Sequence, residues 1–565
     1  MSYFLRLWSR FIILLALLSA SVAIVGAQEP LLGVNMPSTS GSFLAGQQAF
    51  KDLRTDDASR YFLDASEAEW ENPSIVERAF IALAADGRID DAAALAQHLI
   101  EIEPENEMAR LVLGTVALKE RRYTSAINQL EGVEVNSFVG ITGAIVRAWA
   151  LVGNKDYPAS AVLLDEMGRA GLDEFLVFHR ALMADVAGER EAAIGYSTQA
   201  YEADPYVARI VEAQMRILAN AAQFDEARDI YQSYTAEGLS HPLVSVVAQS
   251  VNAGARPGKI AATVQAGTAE MYHGIGVALA REGSNDVAVV FLRLGLYLDP
   301  DADIIAMALG SLFEEADRYD VANDLYDNLA SDSPMKPSAI VRIAENLDAT
   351  GERDEAIRRL SNIAATQPDN LDAVSVLGDL LRYAERYDEA VAAYTTALKI
   401  AGGDRPRDWR FYYVRGIANE RADHWPAAEA DFLKALDLNP GHPQILNYLG
   451  YSWVDKGMNL QRALGMIREA VEANPTDGYI VDSLGWAYYR LGRIEEAVQS
   501  LEQAVQLRPN DPEINDHLGD AYWKAGRKLE ARFQWTVAID VDEDGDVTER
   551  ATPKLASGLD GTDNE

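Results

Sequence analysis

The sequence predicts an all-α protein, an α-solenoid of about fourteen stacked helical hairpins, and three observations predict it. An alanine recurs at Ala58, Ala92, Ala126, Ala161, Ala193 and Ala227, then at Ala288, Ala322, Ala356, Ala390, Ala428, Ala463, Ala497 and Ala531, in steps of 32 to 38 residues that are mostly 34, with a gap of 61 between Ala227 and Ala288. A glycine stands twelve residues before it at Gly46, Gly114, Gly276, Gly310, Gly378, Gly416, Gly485 and Gly519. A proline stands twelve residues after it at Pro104, Pro205, Pro300, Pro334, Pro368, Pro440, Pro475 and Pro509. Three markers held in register over so many units are the mark of a stacked supersecondary repeat.

Each part of the unit has a physical reason, taken in chain order through Asp482 to Pro509, "DSLGWAYYRLGRIEEAVQSLEQAVQLRP". The first helix runs up to the turn Leu491-Gly492-Arg493, where glycine ends it. Gly485 on that helix and Ala497 on the next are small, so the two helices can approach closely. Tyr488 and Leu501 fill the space beside that approach. Pro509 cannot continue a helix and stops the second one. A single hairpin leaves apolar faces bare, so neighbouring hairpins complete the core.

The same reading divides the chain. Residues 1–27 read as a signal peptide: Arg6 and Arg10 precede the apolar run "FIILLALLSASVAIV", and Val25-Gly26-Ala27 offers a cleavage site before Gln28. The alternative is an uncleaved membrane anchor, since the run is at the short end of a bilayer span, about 20 residues. With cleavage, no stable membrane insertion remains and the protein is expected in the periplasm. Residues 28–41 form a linker, 42–239 an N-terminal array, and 240–267 an irregular joint rich in Gly and Ala. Residues 268–540 form a C-terminal array, with a longer loop at "AGGDRPRD", and 541–565 an acidic, disordered tail.

Composition sets limits on function. The chain has 565 residues, 87 acidic against 50 basic, a net charge of −37, and no cysteine. That field repels nucleic acid and anionic lipid surfaces. Without cysteine there is no disulfide, no thiolate metal site and no lipid-bearing residue. The seven histidines are scattered, with no His-Glu-x-x-His pair, nucleophile elbow or phosphate loop. "GIGVAL" at Gly274 lacks the third glycine of a dinucleotide loop, and Gly276 already serves the repeat. His517 is expected on a helix surface. From Asp540, "DVDEDGDVTERA" begins like a calcium loop, but its twelfth residue is Ala551 where the bidentate Glu belongs. No cofactor, no metal and no enzymatic activity are expected.

The unit resembles the tetratricopeptide repeat, matching at Leu484, Gly485, Tyr488, Ala497, Leu501 and Pro509, and again at Leu309, Gly310, Phe313, Ala322, Tyr326 and Pro334. A third match stands at Leu449, Gly450, Trp453, Ala470 and Pro475. The resemblance runs from Ser42 to about Asp540 and implies a scaffold that binds proteins or peptides on a concave first-helix face. Offsets of −6, −3, +1 and +4 from the packing glycine trace that face in the C-terminal units. They select Tyr413, Asn447, Tyr451, Tyr479, Asp482, Trp486, Tyr489, Asp516, Asp520 and Trp523 as a partner-binding groove. Rings supply contact area, and the carboxylates add a negative field suited to a basic or amide-rich segment. A second reading stands beside it, in which the aromatics only pack on the next hairpin.

The closing lines "DSLGWAYYRLG" and "HLGDAYWKAGR" are similar to those of exported bacterial adaptors of the LbcA type. That resemblance implies a partner in a carboxy-terminal processing protease, with substrates delivered to it in the cell envelope. The alternative scaffold role is in outer-membrane or exopolysaccharide export machinery.

Overall fold

A computed structural model describes residues 38–131, 133, 137–167, 173–403 and 405–559. The expected signal peptide, and the expected linker up to residue 37, lie outside them. Among the described residues there are thirty α-helices and no strand. The all-α solenoid expected from the repeat is what the chain forms.

The repeat markers have direct structural correlates. Thirteen of the fourteen register alanines are buried, at 1% exposure or less. The expectation is corrected at Ala161, which is only half-buried because Ser160, one full 34-residue step after Ala126, takes the packing position. The packing glycines face the large side chain four residues beyond the alanine. A Cβ on Gly485 would stand 2.5 Å from Leu501, one on Gly519 2.5 Å from Trp535, and one on Gly378 2.6 Å from Tyr394. Glycine is needed there because the facing ring or leucine occupies the place of its side chain.

The turn inside each hairpin is reached through a left-handed residue (the turn before Ala463 has a second one at Asn459), five or six positions before the alanine. In half of the units it is glycine, as at Gly492 and Gly526. In the others a side chain is forced into the same conformation, as at Leu53, Arg121, Ala222 and Asp423. Backbone bonds close the turn: Arg493 N donates to Tyr488 O at 2.9 Å, satisfying a carbonyl at the helix end.

The chain forms two compact units, one through Asn346 and one from Leu347. In the first, six hairpins run from Thr39–Lys51 with Thr55–Ala68 to Ala208–Asn220 with Phe224–Ala236. The helix Pro242–Asn252 then stands one 34-residue step beyond Ala208–Asn220, without a second helix. Its Val244, Val247 and Val251 join Val211, Met215, Ala227 and Ile230 in one cluster. The segment expected as an irregular joint thus contains a half-repeat that covers the apolar end of the sixth hairpin, followed by a helix-free stretch at 253–263.

The next hairpin, Val264–Arg281 with Asn285–Leu298, packs back onto the first helices of earlier repeats. Tyr272 and Thr115 share a hydrogen bond of 2.6 Å between hydroxyls. Gln265 Nε2 donates to Leu118 O at 2.8 Å, and Gly267 admits the Trp149 ring. Thr115 directly follows packing Gly114, so this hairpin covers the stripe that would otherwise line a groove.

The second unit carries five hairpins, from Leu371–Tyr383 with Tyr387–Ala401 to Pro512–Lys524 with Lys528–Asp540. The expectation of a disordered tail from residue 541 is corrected here. Asp546–Ser557 is a helix with Val547 and Ala551 buried against Ala538. It lies one 34-residue step beyond Pro512–Lys524 and is a second terminal half-repeat. Residues 560–565 lie outside the described residues.

Candidate functional site

The ten residues selected from the sequence fall into three groups. Tyr413, Asn447, Tyr451, Trp486 and Tyr489 are half-buried along successive first helices. The rings of Tyr413, Phe432 and Tyr448 form a triangle with sides of 6.1, 6.0 and 5.1 Å, and Trp409 stacks obliquely on His442 at 4.3 Å. Trp486 stacks nearly parallel on both His517, at 4.2 Å, and Tyr489, at 4.9 Å. Burial raises the Tyr451 hydroxyl well above its ordinary pKa, and the Glu513 and Asp482 carboxylates add to the shift. Two polar atoms of this stripe, Asn447 Oδ1 and Trp486 Nε1, are buried without a hydrogen-bond partner.

Tyr479 forms the second group alone. It is 49% exposed, with the Arg508 guanidinium 4.1 Å from its ring centroid. The offset of −6 puts it in the first turn of its helix, where the Asp477 side chain accepts from its backbone N–H.

Asp482, Asp516, Asp520 and Trp523 make the third group, and all are buried. Asp482 holds His517, whose Nδ1 lies 3.0 Å from both of its oxygens, while Glu513 approaches Nε2 at 3.2 Å. Burial opposes charge on this ring, but the Asp482 and Glu513 carboxylates outweigh it and hold the pKa up at about 10. Burial likewise opposes charge on Glu513, and His517 and Arg550 overcome it, bringing that carboxyl to about 2. The histidine expected on the helix surface is therefore a buried, charged pillar between two repeats.

The tail helix supplies the remaining partners. Arg550 Nε donates to Asp516 at 2.9 Å, and its other end pairs with Glu513. Lys554 Nζ donates to Asp516 and Asp520 at 2.9 Å each, and Trp535 Nε1 donates to Asp520 at 2.9 Å. Trp523 is closed off by the chain itself at Gly558. The expected negative field at Asp482, Asp516 and Asp520 is thus corrected: each carboxylate is neutralised inside the fold, so none faces a ligand.

Arg550, Lys554 and Glu513 were not among the residues selected from the sequence. One signal could have found the first two: they stand 34 residues after Asp516 and Asp520, in the same register as every other stacked contact. At Asp540–Ala551 the calcium-loop resemblance resolves as a helix start. Thr548 N donates to Asp542 at 2.6 Å, and Gly545 is left-handed just before the helix. Among the described residues no group of three His, Cys, Asp or Glu side chains is placed to hold a metal ion. None of the helices among them is long and apolar enough to cross a membrane.

Family profiles agree with the repeat register. The profile described as "Tetratricopeptide repeat" matches residues 78–132, 341–405, 375–443 and 413–478, and that described as "TPR repeat" matches 485–526. The chain is 28% identical over 190 residues to TPR repeat-containing protein PA4667 of Pseudomonas aeruginosa, covering 34% of this chain and 31% of that protein. It is 26% identical over 217 residues to human Protein O-mannosyl-transferase TMTC1, covering 38% and 24%. The chain thus spans less than a third of the length of either relative. Among solved structures it is similar to Cut9-Hcn1 of the APC/C, with a TM-score of 0.38, 14% identity and coverage of 92% and 96%. It is also similar to YrrB, a TPR protein with an unusual peptide-binding site, with a TM-score of 0.27, 20% identity and coverage of 34% and 97%.

Proposed function

We propose that this chain, which carries tetratricopeptide repeats over the matched segments, is a non-catalytic adaptor that holds a protein segment on the first-helix stripe from Tyr413 to Tyr489. One observation carries the reading. Asn447 Oδ1 and Trp486 Nε1 are a buried acceptor and a buried donor left without partners among half-exposed rings. Leaving such groups unpaired costs about 1–3 kcal/mol each. A peptide main chain offers both a donor and an acceptor, so a bound segment that displaces the side chains covering these atoms would relieve both.

The adaptor is exported and works in the periplasm, in keeping with the Arg6–Ala27 pattern of an export signal. Its partner is a carboxy-terminal processing protease to which it brings substrates, in keeping with the closing repeats at Asp482–Gly492 and His517–Arg527. A photo-crosslinking residue at Tyr451 tests this in cells, with mass spectrometry of the captured proteins. The expected result is one dominant conjugate containing the protease, lost in Trp486→Ala with Asn447→Ala. Conjugates of an export assembly would replace the protease reading, and an unchanged pattern in the double variant would remove the stripe from binding.

A further inference from the structure

Two exposed features of this chain have complementary chemistry. The first lies on the helix Lys528–Asp540. Leu529 is 82% and Phe533 64% exposed, the two most exposed large apolar side chains among the described residues. They stand one turn apart on one helix face. The equivalent positions of the two preceding repeats hold Glu495 and Gln499, and Gln461 and Gly465, so nothing in the repeat register demands an apolar pair there. Lys528 and Arg532 flank the pair. Their charges lie 4.5 and 5.9 Å from the Trp523 ring centroid, and neither enters an ion pair among the described residues. In a chain with 87 acidic and 50 basic residues, two cations without a carboxylate beside exposed apolar surface mark a face open to an acidic, apolar occupant.

The second feature is the turn between the helices Thr55–Ala68 and Pro73–Ala85. Trp70 is 42% exposed. One face of its indole stacks on His98 at 4.1 Å, which holds the ring in place. Glu67, Glu69 and Glu71 surround it, all exposed, and none enters an ion pair among the described residues. The loop is an aromatic knob ringed by negative charge.

We infer that the Trp70 loop of one molecule docks on the Leu529–Phe533 face of a second copy. Trp70 covers the apolar pair, while Glu69 and Glu71 meet Lys528 and Arg532. The two surfaces differ, so the contact is head-to-tail and each copy keeps one free face for a further copy. The patch is small against the roughly 1,600 Å² of a standard stable interface, so the association is weak and sensitive to salt. This inference is independent of the adaptor reading, because neither surface belongs to the first-helix stripe.

Sedimentation velocity on the purified protein tests it, over about 1–200 µM at about 0.05 M and 0.5 M salt. The expected result is a weight-average mass that rises with concentration at low salt and falls back to one chain at high salt. Trp70→Ala and Phe533→Glu should each abolish the rise with unchanged helical content by circular dichroism. Mixing these two variants should restore association but stop it at twice the mass of one chain, since each retains one intact face. Lys528→Glu with Arg532→Glu should also abolish the rise, and adding Glu69→Lys with Glu71→Lys should bring it back. A protein that stays monomeric throughout overturns the inference, as does self-association untouched by either single variant.

Discussion

Arg550 donates from Nε to a carboxylate oxygen of Asp516 at 2.9 Å, and the two residues are 34 apart in sequence. The separation is the repeat step itself. The Asp482–His517 contact at 3.0 Å spans 35 residues in the same way. The tail helix therefore occupies the place of a further repeat's first helix. Its basic residues neutralise the aspartates of the last full repeat, where a following repeat would otherwise have stood.

Removing Lys554 should therefore be costly. Its side chain is 12% exposed, against 2% for that of Asp516 and 9% for that of Asp520. Lys554→Met leaves buried Asp520 without its cation, next to Asp516, which keeps Arg550, and breaking such a buried pair costs roughly 3–5 kcal/mol. Urea unfolding followed by tryptophan fluorescence should show that loss. Hydrogen exchange should place it in Pro512–Asp540, with the first unit unchanged.

Two buried histidines give the units opposite responses to pH. His517 has a folded pKa of about 10, above the unfolded value of about 6.5. Its contribution is fully present below pH 6.5 and is lost as pH rises through 10. In the first unit, His179 lies among Phe175, Phe178 and Trp149, with neither ring nitrogen hydrogen-bonded. Burial lowers its pKa to about 4, with Glu270 opposing. The unfolded chain binds that proton first, so stability falls as pH drops from 6.5 towards 4. Exchange-resolved melts should show the second unit weakening in alkali and the first in acid, and His179→Phe should remove much of the acid loss.

The left-handed turn positions that lack glycine are sites of stored strain. Ala222 has φ of 67° and is exposed. A residue with a Cβ costs about 1–2 kcal/mol in that conformation, while glycine adopts it freely at some cost in unfolded-state entropy. Ala222→Gly should raise stability by about 0.5–1 kcal/mol, measured by urea denaturation. The reverse exchange, Gly492→Ala, should lower it by a similar amount.

Trp486 and Trp523 should separate binding from packing. Trp486→Ala removes a half-buried ring from the stripe and should weaken partner capture, with a loss of stability smaller than that at Trp523 because less of the ring is buried. Trp523 is 7% exposed, in contact with Trp535 at 5.5 Å and covered by the tail. Trp523→Ala should instead cost roughly 3–5 kcal/mol of stability. Capture assays and thermal melts on both variants should give the opposite ranking for the two residues.

The sequence by itself determined the architecture, because the period, the packing glycine and the register alanine are local requirements repeated many times. Gly485 must be small wherever Leu501 stands sixteen residues later, and that relation is readable without coordinates. Helical periodicity also placed Tyr413, Asn447, Tyr451, Trp486 and Tyr489 on one first-helix stripe, and all five are half-buried there. What only the tertiary structure decided is where the repeat stops and what covers it. Asp516, Asp520 and Trp523 carry the same offsets as those five, and periodicity cannot distinguish them. They are buried because a segment that reads as an acidic tail places Arg550 and Lys554 in register with them, and pairing those charges out of water offsets its poor composition. In the first unit the same logic hides Thr115 beneath Tyr272, a contact between residues 157 apart. Local spacing specifies the hairpin, but which faces remain open depends on long-range burial that no single repeat encodes.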